Sequence, residues 1–146
     1  MLDVPLDLNV ILYLHGPYSP DISAELSTLR ADQMLDVVPR DPRYGPTLAL
    51  TETAKQLTER NPKTIAKYDA ALSFVSEKFG KMNVKELERL STAHLIMRRD
   101  PALSDDEVVA EVVRIKPHIP EAAARQAVRE VKEIRLLATG VSESRR

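Results

Sequence analysis

Three histidines are the side chains of this sequence best suited to metal binding or proton transfer. His15, His94 and His118 lie far apart, and none has a second ligand at a metal-binding spacing such as i, i+4. The sequence therefore predicts no metal centre. His94 shares a helical face with apolar residues, which is typical of a core or boundary histidine. His15 and His118 flank proline-containing turns, where functional residues are common.

The densest acidic group consists of Asp105, Asp106, Glu107 and Glu111. Paired carboxylates of this kind can perform acid–base catalysis or hold Mg²⁺. A structural role also explains them, because acids in a first helical turn complement the helix dipole and Glu107 forms a capping box with Ser104. We favour the structural role. With no serine in a nucleophile-elbow context and only four scattered glycines, we expect no cofactor and no enzymatic activity.

A proline-rich loop carries the residues most suited to binding. Arg40, Arg43 and Tyr44 project from this loop, as a wing does when it places arginine in a minor groove or against phosphates. His15 and Tyr18, in the turn segment before the first predicted helix, complete the set of candidate binding residues. The alternative is a solvated turn.

Charge argues against DNA as the main partner. The chain has 21 basic and 22 acidic residues, a net charge of −1. Residues 1–61 carry five basic against nine acidic side chains, a net charge of −4, and residues 62–146 carry 16 against 13, a net charge of +3. DNA-binding modules normally present a positive face. The sequence contains no cysteine, no apolar run long enough to cross a membrane and no basic signal-peptide start, so we expect a cytoplasmic protein.

Apolar periodicity predicts three short strands and one helix in the first part of the chain. Alternation over Leu6–Leu14 indicates a strand with one buried face, which stops at a turn over residues 15–18. Ser19 and Pro20 open a helix that reaches about residue 32. Met34–Val38 and Thr47–Leu50 then form a hairpin with a long tip.

The rest of the chain predicts helices with clear start and stop signals. Thr51, Asn61, Asn83 and Ser104 are predicted N-caps, and Pro120 starts a last helix that ends at Gly140. The helix after Asn61 has one apolar stripe at steps of three and four. Its members are Ile65, Tyr68, Leu72, Val75 and Phe79.

These elements predict an α+β fold that is mostly α. A winged-helix-like unit over residues 1–61 packs on a bundle of about four helices over residues 62–140, in one co-packed domain. Residues 141–146 form a flexible tail.

Several short motifs resemble the YwgA-like group of prokaryotic proteins, which is similar to the Panacea domain of SocA-type antitoxins. The motifs are YLHGPYSPD over residues 13–21, YGP over 44–46, LALTETAK over 48–55, and the stretch from Ser104 to His118. The resemblance implies a winged-helix-like fold and, for the Panacea relatives, neutralisation of toxins by protein contact. It supplies no catalytic residue.

One departure from that group bears on the partner. The group carries a helical segment ahead of its Gly-Pro motif, which this chain lacks. This difference would be explained if the chain were a shortened copy or fragment, or if a second copy supplied the missing helical layer. We expect a homodimer. The predicted function is a non-catalytic protein–protein interaction or antitoxin-like regulatory module. The alternative is a winged-helix, DNA-associated transcriptional regulator.

Overall fold

The computed structural model describes residues 4–14, 16–40 and 45–143. Within these ranges it contains six helices and two two-stranded antiparallel sheets, so the prediction of a mostly helical α+β protein is confirmed. The chain divides into two units. The larger unit comprises residues 4–6, 10–14, 16–18 and 70–143. The smaller unit comprises residues 7–9, 19–40 and 45–69.

The first predicted strand is wrong in its extent. Strand β1 covers only Ile11–Tyr13 and pairs with β2, Gly16–Tyr18, in a tight antiparallel hairpin. The chain reverses because Gly16 adopts a φ of +106°, a conformation that side-chain-bearing residues rarely adopt. The described residues therefore hold four strands rather than three, and residues 16–18 of the predicted turn are themselves paired. The predicted buried face is only partly buried, because Leu8, Val10 and Leu12 are half-buried whereas Leu6 and Leu14 are exposed.

Three helices form the core of the larger unit. They are α4 (Val84–Arg99), α5 (Asp105–Ile115) and α6 (Glu121–Glu143), and each packs against the other two. Apolar residues at steps of three and four face inward on each helix, as amphipathic helices require. The buried cluster contains Leu90, Ala93, Ile96, Val108, Val109, Val112, Ile119, Ala124, Ala127, Val128 and Val131.

The predicted capping boxes of α4 and α5 are confirmed. The Asn83 side chain accepts from the backbone N–H of Glu86 at 3.1 Å, and Glu86 Oε2 accepts from the N–H of Asn83 at 2.8 Å. Ser104 and Glu107 make the same reciprocal pair at the start of α5. Each box satisfies two N–H groups that have no partner within the helix.

Helix α3, Pro62–Phe79, contributes residues to both units and begins and ends as predicted. The prediction of its buried face is wrong. The helix buries Ala71 and Phe74, whereas Leu72 and Val75 of the predicted stripe are exposed. The helix therefore has two apolar faces. It buries the one that contains Ala71 and Phe74, where a small side chain beside a large one allows close packing.

The smaller unit contains α1 (Pro20–Ala31), β3 (Leu35–Val38), β4 (Thr47–Leu50) and α2 (Glu52–Arg60). The predicted hairpin and caps are confirmed here. Thr51 Oγ1 accepts from the N–H of Ala54 at 3.2 Å and donates to the carbonyl of Gln33 at 2.6 Å. One hydroxyl therefore both caps α2 and fixes it to the segment that follows α1.

The last helix is longer than predicted. Helix α6 continues through Gly140 to Glu143, because a single glycine weakens a helix without ending it. Residues 144–146 of the predicted tail lie outside the described residues. No helix among the described residues is both long enough and apolar enough to span a bilayer.

Candidate functional site

Two of the five predicted binding residues lie in the described part of the chain. Arg40 follows β3 in the smaller unit and is exposed. Tyr18 ends β2 in the larger unit, where its ring centroid lies 5.8 Å from that of Tyr13. His15, Arg43 and Tyr44 lie outside the described residues.

The β3–β4 hairpin has one fully apolar face. Leu35 is paired with Leu50 and Val37 with Leu48, and these four residues share one side because side chains alternate along a strand. We call them the hairpin face. The other side carries Asp36, Val38, Thr47 and Ala49.

Three of the four residues of the hairpin face are open to solvent, and Leu35 is half-buried. Val37 is 39% exposed, Leu48 43% and Leu50 62%. Among the described residues of the smaller unit, Ala54 is the only buried apolar side chain. Two paired rows of aliphatic residues normally cover a core, so this face is a candidate contact surface.

A cluster of three ionisable side chains lies within the larger unit. Glu88 of α4 and Lys116, which caps α5, are 8% and 4% exposed. Lys116 Nζ is 3.1 Å from Glu88 Oε1, an ion pair that is not aligned as a hydrogen bond. His118 Nε2 lies 3.3 Å from the other carboxylate oxygen, and its ring is largely exposed.

Lys116 also holds the turn of the β1–β2 hairpin. Its Nζ donates to the backbone carbonyls of Tyr13, at 2.9 Å, and of Leu14. Next in this hairpin, Gly16 lies against α4, and an added Cβ would make ordinary van der Waals contacts there, 3.5 Å from Glu88 Cγ and 3.4 Å from Ser91 Oγ. The ammonium group therefore joins the hairpin, α4 and the end of α5.

Two opposing effects act on the carboxylate of Glu88. Burial alone would raise its pKa, because a charge is poorly solvated away from water. The contacts of Lys116 and His118 with the carboxylate together outweigh burial and hold the pKa of Glu88 below its ordinary value. Glu88 is therefore ionised at neutral pH.

This cluster is best explained as a structural device. Both carboxylate oxygens face cationic or hydrogen-bonding groups, and the lysine has three oxygen partners. Sequence reasoning missed Glu88 and Lys116, because they are far apart in the chain and each has an ordinary helical context. Their close packing against Gly16 arises only from the tertiary fold.

The acidic residues at the start of α5 have the predicted structural role. Glu107 completes the capping box, while Asp105 and Asp106 pair with Lys132 and Arg125 of α6. Across the described residues, no cluster of three histidine, aspartate or glutamate side chains is arranged to hold a metal ion.

Replacing Lys116 tests the structural role. The K116M variant removes the buried cation beside the Glu88 carboxylate and leaves two carbonyls without a donor. We expect the free energy of unfolding to fall by about 3–5 kcal/mol, as when one partner of a buried ion pair is removed. Urea denaturation measures it. The control is R114M, which breaks the 2.6 Å pair with Glu111 on the exposed surface of α5 and should change little. Equal losses in both variants would contradict this role.

The lowered pKa of Glu88 predicts a dependence of stability on pH. In the unfolded chain Glu88 has its ordinary pKa near 4.5, so on acidification it takes up a proton at a higher pH than in the folded protein. The stabilisation from Glu88 is therefore complete well above pH 4.5 and is lost as the pH falls through the lowered pKa of the folded state. We expect E88Q to unfold more easily at pH 7 and to lose less stability on acidification. Thermal unfolding at a series of pH values measures both effects. E133Q removes an exposed carboxylate of α6 and should show the same dependence of stability on pH as the wild type. If E88Q lost as much stability on acidification as the wild type does, the role assigned to Glu88 would be refuted.

Comparisons with known proteins show no match: no protein-family model, no curated protein and no solved structure matches this chain. The resemblance to the YwgA-like group therefore stays a prediction from short motifs.

Proposed function

We propose that this chain is a non-catalytic protein-interaction module whose contact surface is the hairpin face. The observation that carries the proposal is the unequal burial of apolar residues in the smaller unit. Three of the four residues of the hairpin face stay exposed while the described residues of that unit bury a single apolar side chain, Ala54.

Physical chemistry favours a partner for such a face. Small domains are marginally stable because they bury a small share of their surface, and covering apolar area contributes about 25 cal/mol per Å². Val37, Leu48 and Leu50 offer that area on a rigid hairpin, where little conformational entropy is lost on binding.

A second exposed apolar face supports the same function. On the part of α3 that belongs to the larger unit, Leu72 and Val75 fall on one side of the helix at a step of three, and both are exposed. An apolar helical stripe of this kind is a common anchor in protein recognition.

The order of elements agrees with the winged-helix-like interpretation. Helix α1 precedes a hairpin, and β3 and β4 would then form the wing. The regulatory role we propose is antitoxin-like, on the basis of the motif resemblance, and the partner is a protein. A second copy of this chain is the first partner to test.

Substitution of the hairpin face tests the proposal. V37T with L48T places threonine, a β-branched residue that suits strands, at both positions and removes apolar contact area. We expect the wild type to be a dimer and the double variant to dissociate at least about tenfold more readily, a loss of roughly 1.4 kcal/mol. Sedimentation over a range of concentrations measures the equilibrium.

The matched control is V38T, the same exchange on the opposite side of β3. It should leave the dimer intact. If the wild type were a monomer at high concentration, the homodimer would be excluded. If, in addition, no protein partner were recovered from native lysate, the proposed function would be excluded. Equal effects of V38T and the double variant would locate the contact elsewhere.

The alternative function is DNA binding through the loop after β3, and the exposed position of Arg40 favours it. If the chain binds DNA, a gel-shift titration should show a retarded complex. Its affinity should fall steeply with salt concentration, because binding releases cations from the DNA. The R40A/R43A variant should abolish retardation, whereas R30A/R60A removes the same charge elsewhere in the smaller unit and should retain it. No retardation at low salt would exclude this function.

A further inference from the structure

A groove separate from the hairpin face lies within the larger unit, between α3, α4 and α6. It encloses about 340 Å³, within the range of roughly 300–1,000 Å³ typical of small-molecule sites. Its floor is formed by buried or nearly buried apolar side chains, among them Phe74, Leu90 and Val131. Leu87 lies at the rim and is partly exposed. The floor therefore suits hydrocarbon and offers no partner for a polar group.

The polar groups of the groove are few and positive in character. Arg135 and His94 line it together with Ser91, and none of the described side chains that line it is acidic. Arg98 lies close enough to act on His94 electrostatically. Neither guanidinium has a carboxylate within salt-bridge distance among the described residues. The groove thus combines an apolar floor with an uncompensated positive edge.

The state of His94 limits the charge at this edge. Burial, followed by the charges of Arg135 and Arg98, lowers the pKa of His94 below its ordinary value. The imidazole is therefore neutral at neutral pH and can donate one hydrogen bond without adding a charge. Of the lining side chains, Arg135 alone brings a permanent charge, which matches a singly charged anion.

We propose that the groove binds a small apolar molecule bearing one carboxylate, with its hydrocarbon on the floor and its carboxylate at Arg135 and His94. Arg135 offers a planar pair of donors that fits a carboxylate. The apolar floor contributes affinity in proportion to the hydrocarbon that it covers. A neutral molecule of the same shape would lose the charge-assisted contact, and a cation would be repelled.

Octanoate is a suitable probe because it joins a flexible hydrocarbon to one carboxylate. The chain has three histidines, so their ring signals in an NMR spectrum are few, and loss of one signal in H94Q identifies His94. Titrating the wild-type protein with octanoate should shift the His94 signal in a saturable way. We expect 1-octanol to bind at least about tenfold more weakly, which corresponds to 1.4 kcal/mol.

Two charge reversals on α6 form the matched pair of variants. R135E should weaken octanoate binding at least about tenfold, because it replaces the attractive charge with a repulsive one. R129E changes the same charge at an exposed position outside the groove lining and should alter affinity by less than about twofold, because distant surface charges are screened. L87E, which introduces a negative charge at the partly exposed rim, should also weaken octanoate binding and replaces R135E as the test if R135E fails to fold.

The outcomes separate this proposal from its competitors. No saturable shift, equal binding of octanol, or equal losses in R135E and R129E would overturn it. A shift confined to another histidine would place binding elsewhere and overturn it as well. A His94 signal that instead depends on protein concentration without octanoate would show that a second copy covers the groove. The hairpin variants do not enter this experiment, so its result is independent of the proposed interaction function.

Discussion

The ammonium group of Lys116 must find partners inside the protein, and much of the larger unit is arranged to supply them. A buried charge without a partner costs several kcal/mol. The carboxylate of Glu88 and the carbonyls of Tyr13 and Leu14 meet this need. These contacts require the turn of the β1–β2 hairpin to lie against α4, and the φ of +106° at Gly16 favours glycine in that turn. One interaction thus joins segments about a hundred residues apart.

The two units distribute their apolar residues differently. In the larger unit, α4, α5 and α6 cover one another and leave a groove beside a well-packed cluster. In the smaller unit, the hairpin face points to solvent. A well-packed unit that positions a binding groove and a second unit with uncovered aliphatic rows are suited to different partners. We propose a small molecule for the first and a protein surface for the second.

Local signals in the sequence were sufficient for most helix boundaries. Asn83 and Ser104 cap helices through contacts with residues three positions ahead, so a short stretch of sequence contains the whole interaction. Strand pairing depends on a partner elsewhere in the chain. The alternation over Leu6–Leu14 therefore indicated an extended segment correctly only at Ile11–Tyr13. On α3, two apolar faces were available, and periodicity chose the one that packing leaves exposed.

The sequence by itself determined the predominantly helical composition, the starts of the helices and the β3–β4 hairpin, because caps, turns and periodicity act over a few residues. The tertiary structure decided which faces are buried, how the first strand pairs and where Glu88, Lys116 and His118 meet. It also placed His94 and Arg135 beside an apolar groove. These features depend on contacts between residues distant in the chain, and no local pattern in a single sequence encodes such contacts.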